Sequence, residues 1–482
     1  MKGHLLIFIL ALPTSALAQE AMTMLPSAPQ PAAQTAFLPG VRQVSTPSPV
    51  TATSTPTAGT QQSPLVDPGN PATPITRSDA ERLALKNNPR ITASHLLALA
   101  AGQVTRQTRS GELPQVYGAA TAEKAEDGVR IGAGSLTDSR LYTHAGVGGT
   151  LSQLITDFGH TRDLIATNKL QQKAQDRTTI ATEQDVLIAA DEAFYRLLDA
   201  QSLLNVAKAT VAARGDVQKL TSALTRSALK SDLDLNIASA DLSQSQLLQL
   251  DAENAVASAS AALAAVLAAP PDTLYQAVEE EASLPAPPAP DSSPTLNAEA
   301  QAQRPDLQAL RLNAEAYQKY ARAQELQHLP AISALATGGI TPVAPDGIFT
   351  PDYYAAGGVN LTLPIFTGFH IEAQAEEARL RQKATEKQAQ ELSDTIARDV
   401  RIGILNAQTA FRRIAVADQF RDQTAQALAL AQTRYKLGLS SIVELSQSQL
   451  QSTQAAVAAV NARYDYLLAL RSLDYARGQL AP

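Results

Sequence analysis

The chain contains no cysteine, and this absence removes several kinds of function. Without a thiol there is no disulfide scaffold, thiolate metal site, thiol nucleophile or lipid attachment through an N-terminal cysteine. Tryptophan is absent too, and aromatic residues make up only 4% of a composition that is 45% apolar. Much of the apolar content is alanine, which lets long helices lie close together but cannot fill a thick core. We therefore expect an elongated, mainly α-helical protein.

Positive charge and long apolar runs are also scarce. The formal net charge is -7 over 482 residues, which argues against a nucleic-acid partner. Beyond the N-terminal segment, no apolar run reaches the length of about 18 to 20 residues that a membrane-spanning helix needs. If the mature chain enters a membrane, it must therefore do so as β-strands.

The N-terminus has the layout of a secretory signal peptide over residues 1–18. Lys2 precedes an apolar run from Leu5 to Leu12, and the small-residue segment Ala16 to Ala18 closes it. We expect cleavage after Ala18 and export of the mature protein. Residues 19–75 are rich in Pro, Ala, Thr and Ser without an apolar period, which predicts a disordered, extended arm.

Residues 76–267 and 296–480 are two copies of one unit, separated by a Pro-rich stretch at 268–295 that we interpret as a linker. Equivalent residues are 216 positions apart before a predicted loop and 210 apart after it, so the difference in length is confined to that loop. The equivalent pairs include Pro89 and Pro305, Arg106 and Arg322, His160 and His370, Leu170 and Leu380, and Ser231 and Ser441. The chain therefore consists of two repeats of similar size.

Each repeat is predicted to contain one helix, two strands and two further helices. The first helix begins near Ser78 or at Leu296 to Ala298, and it ends before Pro114 or Pro330 because proline cannot continue a helix. The predicted strands span about 114–123, 141–155, 330–339 and 354–366. In the second strand of each repeat, 141–155 and 354–366, the residues alternate between a small apolar face and a polar face in the same phase, as outer-membrane strands do. A surface hairpin of a soluble protein fits the same pattern.

The segments after the strands are too long for a membrane. The chain runs from about Asp157 to Thr225, and again from Thr367 to Tyr435, without a proline, and about 70 helical residues span about 105 Å. A hydrocarbon core is about 30 Å thick, so these helices must project outside it. Four strands cannot close a barrel, whereas two chains would supply eight and three chains twelve with a pore. We therefore expect the chain to oligomerise.

The chain resembles the TolC-like outer-membrane efflux and secretion channel family over about residues 76 to 480. The matching motifs are "ALKNNPRI" (84–91), "QRPDLQAL" (303–310), "LPQVYGAAT", "LPAISALAT", "LTLPIFTG" (361–368), "AFYRLLDA" (193–200) and "YKLGLSSIVEL" (435–445). The resemblance implies a homotrimer, mainly α with transmembrane β, whose twelve strands form one barrel in the outer membrane. Its helices would form a tapered tunnel across the periplasm, and the closed end would meet a periplasmic adaptor protein and an inner-membrane pump.

The resemblance also assigns roles at the tips of the helical hairpins. The stretch "LGLSS" at 437–441 corresponds to the periplasmic turn, where Gly438 permits a tight reversal and a serine caps the returning helix. Repeat one departs from this pattern, because it has "SALKSD" at 227–232 with Ala228 in place of the glycine. The residues expected to contact an adaptor are Leu229, Ser231, Leu437, Gly438, Leu439 and Ser441.

Four further residues are implied to form a gate. Asp234 and Tyr435 occupy positions that link neighbouring coiled coils in the family and hold the entrance shut. An arginine that bonds this aspartate in some relatives is replaced by Ser440, so we expect a weaker lock. Glu444 stands where the family places an acidic ring, and Gln447 stands where a second acid can occur. A single ring predicts modest cation selectivity.

Catalysis is not expected from this sequence. No Gly-rich phosphate loop follows a strand and no Ser, His and Asp triad has recognisable spacing. The family uses no cofactor, and His160 and His370 recur through duplication rather than as metal ligands. Our first hypothesis is the passive exit duct of a tripartite efflux pump or a type I secretion system. The alternative is a non-conducting coiled-coil scaffold or adhesin of the periplasm or the cell surface.

Overall fold

A computed structural model describes residues 73–124, 144–279, 284–289, 293–340 and 353–480. The predicted signal peptide, and the predicted arm up to residue 72, lie outside the described residues. The helices of the described part are α1 (Arg77–Asn87), α2 (Pro89–Ser110), α3 (His160–Arg226), α4 (Asp232–Val266), α5 (Ser293–Gln303), α6 (Pro305–Leu326), α7 (His370–Lys436) and α8 (Ile442–Ala476). The strands are β1 (Thr73–Ile75), β2 (Gln115–Glu123), β3 (His144–Thr156), β4 (Tyr275–Ala277), β5 (Ala331–Ile340) and β6 (Tyr353–Thr362).

The two repeats have matching long helices. Helices α3 and α7 contain 67 residues each, which corresponds to about 100 Å at 1.5 Å per residue. Helices α4 and α8 contain 35 residues each. Buried residues recur every seven positions along both long helices, as in a coiled-coil seam, and all but Arg214 are small: Ala200, Ala207, Arg214 and Thr221 on α3, and Ala410, Ala417, Thr424 and Ala431 on α7. No helix in the described part of the chain is long and apolar enough to cross a membrane.

The first helix of each repeat is split in two, so the prediction of one continuous helix was wrong. Asn88 is extended (φ -68°, ψ 122°), and its Oδ1 accepts a hydrogen bond from the Arg90 amide at 3.0 Å. Pro89 occupies the first turn of α2, and Pro305 does the same in α6. Proline disfavours helical geometry in the residue before it and suits the first position of a new helix. The internal proline therefore ends one helix and starts the next.

Strands β2, β3, β5 and β6 form an antiparallel sheet in that order. Directly paired residues of antiparallel strands point to the same face, and the register places the apolar residues of both repeats together. That face carries Val116, Gly118, Ala120, Ala122, Ala145, Val147, Gly149, Leu151, Ala334, Ala336, Gly338, Ile340, Ala355, Gly357, Val359 and Leu361. The sheet is open, with β2 of repeat one and β6 of repeat two at its edges.

A second, two-stranded sheet corrects the predicted arm and linker. Thr73–Ile75, at the end of the predicted disordered arm, pairs in parallel with Tyr275–Ala277 inside the predicted linker. The pairing forms because Ile75 is 2% exposed within a core cluster that also buries Tyr275 and Ala277. A second point of the linker is fixed to α8, since the Tyr466 hydroxyl donates a hydrogen bond to the Pro285 carbonyl oxygen at 2.7 Å.

Candidate functional site at the helical tips

Two helix reversals, α3 to α4 and α7 to α8, form the candidate site, and their backbones are alike. Ala228 and Gly438 occupy equivalent positions with φ of 60° and 74°. The next amide closes each turn, with Leu229 N donating to Leu224 O at 2.9 Å and Leu439 N donating to Arg434 O at 2.8 Å. Repeat one therefore adopts the same reversal without a glycine, although a left-handed conformation costs a non-glycine residue about 1–2 kcal/mol.

The returning helices are capped by equivalent serines. The side chains of Ser231 and Ser441 accept hydrogen bonds from the amides of Asp234 and Glu444, each at 3.2 Å. Asp234 and Glu444 are thus equivalent acids, three residues past the cap. The Asp234 carboxylate accepts in return from the Ser231 amide at 3.4 Å, which completes a capping box.

Glu444 behaves differently from its counterpart. Its carboxylate lies 3.5 Å from Nη1 of Arg434, and both side chains are about half exposed. Arg434 Nη2 also approaches the Leu439 carbonyl oxygen at 3.4 Å. Arg434 therefore spans the α7–α8 turn and places a positive charge beside the acid that was predicted to form a ring. Gln447, one turn further along α8, is exposed.

Tyr435 lies between the two hairpins. It is 1% exposed and packs in a cluster with Ala238, Ile442 and Leu445. Its hydroxyl is hydrogen bonded to Thr221 Oγ1 at 3.0 Å, and Lys230 Nζ lies 4.7 Å from its ring centroid. Burial raises the pKa of the Tyr435 phenol, and the nearby Asp234 charge raises it further, whereas the Thr221 hydrogen bond opposes the shift.

Within this chain Tyr435 and Asp234 make their polar contacts to other groups. The Tyr435 hydroxyl is hydrogen bonded to Thr221 of α3, and the Asp234 carboxylate caps α4. The predicted link between neighbouring coiled coils through these two residues stays a prediction. Asp234 still acts on Tyr435 through its charge.

The tips present apolar side chains to solvent. Leu229 is 70% exposed, Leu437 68% and Leu439 66%. Gly438, Ser231 and Ser441 are exposed beside them. The residues predicted for adaptor contact therefore all lie on the surface of the two turns.

Three residues that contact Tyr435 or Glu444 were not among the predicted site residues, namely Thr221, Lys230 and Arg434. Thr221 lies seven residues after Arg214 and is the last member of the buried series with that spacing along α3. Arg434 had a weaker signal, a basic residue in the last turn of α7 facing an acid in the first turn of α8. Among the described residues, no group of His, Cys, Asp and Glu side chains could hold a metal ion.

Comparisons with known proteins agree with this architecture. The sequence profile of the family described as outer membrane efflux protein matches residues 81–269 and 296–479. The outer membrane protein TolC of Vibrio cholerae is 23% identical over 327 residues, covering 66% of this chain and 73% of the relative.

Solved structures share the fold at low sequence identity. The Campylobacter jejuni CmeC outer membrane channel has a TM-score of 0.72 at 20% identity, with 84% of this chain and 85% of that chain covered. The outer membrane protein VceC of Vibrio cholerae has a TM-score of 0.71 at 18% identity, with 83% and 96% covered. The mainly helical fold with an antiparallel sheet, predicted from the sequence, is confirmed.

Proposed function

Because the chain belongs to the outer membrane efflux protein family, we propose that three copies assemble into a passive exit duct for a tripartite efflux pump or a type I secretion system. The family consists of outer-membrane channels rather than enzymes, which confirms the location and the lack of catalysis expected from the sequence. It also favours the channel over the non-conducting scaffold.

The open sheet is the main structural support for a trimer. Its apolar face is exposed, with Val116 73% and Val359 70% accessible, and so large an apolar surface indicates contact with lipid or protein. Unpaired edges are not tolerated in lipid, and four strands are too few for a barrel. Strand β6 runs antiparallel to β2. An edge-to-edge ladder between copies therefore continues the alternating pattern, and three copies give twelve strands.

Cysteine pairs test this arrangement against a cysteine-free background. Ala120→Cys on β2 combined with Gly357→Cys or Val359→Cys on β6 should crosslink only between chains and give covalent trimers under mild oxidation. Val147→Cys with Ile340→Cys is the matched control, because these residues are paired within one chain and should leave the monomer mass. Failure of every β2–β6 pair, with the control crosslinked, would contradict the trimer. Absence of conductance in planar bilayers would contradict the duct.

The tips are the proposed docking site for a periplasmic adaptor that connects to an inner-membrane pump. Three exposed leucines lie within the two short turns, beside exposed small residues that leave room for a partner backbone. The proposed contact residues are Leu229, Ser231, Leu437, Gly438, Leu439 and Ser441. Leu439→Asp should abolish adaptor binding, measured with purified components, while leaving the trimer intact.

The gate is proposed to comprise Asp234, Tyr435, Glu444 and Gln447. Tyr435 supports this role by packing between the α3–α4 and α7–α8 hairpins, so that moving one hairpin past the other must displace its ring. Tyr435→Phe removes only the bond to Thr221, which is worth about 1 kcal/mol. We expect higher single-channel conductance in this variant, and unchanged conductance would remove Tyr435 from the gate.

A further inference from the structure

A buried cluster of charged side chains joins α1, α3 and α8, far along the chain from the tips. Glu81 of α1 is 1% exposed and Asp191 of α3 is 0% exposed. Arg77 of α1 pairs with Glu81, and Arg471 of α8 contacts both acids. Burial of two carboxyl groups in one place requires compensation, because an uncompensated charge is costly away from water.

The guanidinium group of Arg471 is shared between the two acids. Its Nε donates to Asp191 Oδ2 at 2.5 Å, and its Nη2 donates to Glu81 Oε1 at 2.8 Å. These two nitrogens lie on one edge of the group, an edge that commonly binds both oxygens of a single carboxylate. Two different carboxyl groups occupy that edge in this protein. They are therefore held side by side, and each has one oxygen left over.

The remaining oxygens lack donors. Glu81 Oε2 and Asp191 Oδ1 are both buried and have no hydrogen-bond partner among the described residues. In the part of the chain that the structure describes, no donor reaches either atom, so two ionised carboxylates would leave both atoms unsatisfied and would repel each other. One added proton removes the repulsion and satisfies both oxygens, because a protonated carboxyl group donates a hydrogen bond and its ionised neighbour accepts it.

The surrounding charges are consistent with one bound proton. Asp474 lies 3.8 Å from Arg471 and 3.6 Å from Arg477, and Arg477 also pairs with Glu299. Tyr195 of α3 interacts electrostatically with Arg77. The positive groups of the cluster are Arg77, Arg471 and Arg477, and the acids are Glu81, Asp191, Asp474 and Glu299. Three guanidinium groups face four carboxyl groups, and a single proton makes the cluster neutral.

We propose that Glu81 and Asp191 form a proton-binding site, which holds one proton between Glu81 Oε2 and Asp191 Oδ1 and thereby fastens α1 to α3 and α8. The proton belongs to the pair rather than to one residue. The site lies outside the tips and the sheet, and it acts on the attachment of the first helix and of the last helix rather than on conduction.

The pH dependence has a definite sign. Burial raises the pKa of Glu81 from 4.5 to about 7, together with the hydrogen bond that its protonated form makes to Asp191 and the negative charge of Asp191, while Arg77 and Arg471 oppose the shift. A raised carboxyl pKa means that folding favours the protonated form. The stabilisation is therefore complete below the ordinary pKa of 4.5 and is lost as the pH rises through about 7.

The test compares the purified full-length protein in detergent with Glu81→Gln. The glutamine amide can donate to Asp191 Oδ1 permanently, as the protonated acid does, while its oxygen still accepts from Arg471. The wild-type unfolding midpoint should fall by several degrees between pH 5 and pH 9. The variant should lose that slope and unfold at a higher temperature than wild type at pH 9. Glu325→Gln is the matched control at a half-exposed ion pair with Arg379, between α6 and α7 and not part of this cluster, and it should keep the wild-type slope.

Infrared difference spectra give a second measurement that does not depend on the variant's stability. A carbonyl band of a protonated carboxyl group should be present at pH 5, disappear by pH 9, and be missing from Glu81→Gln and Asp191→Asn. A wild-type protein without such a band, or a Glu81→Gln protein that keeps both band and slope, would overturn the site. If Glu81→Gln does not assemble, the band in the unchanged protein decides the question.

Discussion

The tip of repeat one and the tip of repeat two have the same backbone and different chemistry. Both reverse direction through a left-handed residue, both close with the same backbone hydrogen bond, and both return through a serine cap. Yet Thr225 and Leu224 of repeat one stand where repeat two has Tyr435 and Arg434. The reversal is therefore set by helix geometry, whereas side chains at a few positions determine the chemistry of each tip.

The largest expected difference between the tips comes from the buried tyrosine. Tyr435→Ala removes a fully buried ring and should cost about 3–5 kcal/mol. The equivalent change in repeat one, Thr225→Ala, removes a partly exposed side chain whose hydroxyl reaches the Ser231 carbonyl oxygen at 3.4 Å, and it should cost less than about 1 kcal/mol. Amide hydrogen exchange reports local opening, and protection should fall around 425–445 in the first variant only. Equal loss in both variants would mean that the tips are alike in stability as well as in shape.

A smaller difference is expected from the left-handed residue. Gly438→Ala should destabilise the second tip by about 1 kcal/mol, because alanine pays the left-handed penalty there. A Cβ at that position would meet no atom within 4 Å, so crowding does not contribute. Ala228→Gly should have the opposite sign in repeat one. Gly438→Asn serves as control and should cost less than alanine, since asparagine tolerates this conformation. Urea or thermal unfolding of the variants measures the ranking, and a reversed order would refute it.

The smallest energetic effect is expected from the ion pair, although its effect on selectivity is measurable. An exposed pair such as Arg434–Glu444 is worth about 0–1 kcal/mol. Arg434→Gln should nevertheless raise cation preference by freeing the carboxylate, and Glu444→Gln should lower it. Reversal potentials under a salt gradient distinguish the two, with Asp234→Asn as the matched change in repeat one. Identical reversal potentials in wild type, Arg434→Gln and Glu444→Gln would place this pair outside the conducting path.

Local pattern was enough to predict the elements but not their tertiary partners. The alternation in Val359 and Leu361, repeated in Val147 and Leu151, predicts strands because period two is a property of neighbouring residues. The contact between Tyr435 and Thr221 joins residues 214 positions apart, and no local period encodes it. The capping box of Ser231 and Asp234, by contrast, joins residues three positions apart, and local pattern is enough to predict it.

The helix breaks, the short strand β1 and the buried acids also differ from what the sequence predicts or shows. Pro89 and Pro305 each lie inside the single first helix predicted for their repeat, whereas in the structure one helix ends just before each proline and another begins at it. Strand β1 is only three residues long, too short for alternation to be recognised, and its parallel partner lies beyond an entire repeat. Glu81 and Asp191 look like ordinary surface acids in the sequence, and only the packing of α1 on α3 shows that they are buried.

Because the two turns carry different residues at equivalent positions, a symmetric assembly of this chain would present two kinds of tip. A ring built from three copies would display six hairpin ends, but neighbouring ends would differ, alternating between one with an arginine-clamped acid and one without. Any partner that offers six identical binding elements to this ring would meet two classes of position. The partner would occupy the three tips of one class before the three of the other. A titration of the ring with this partner should therefore show two binding steps rather than one.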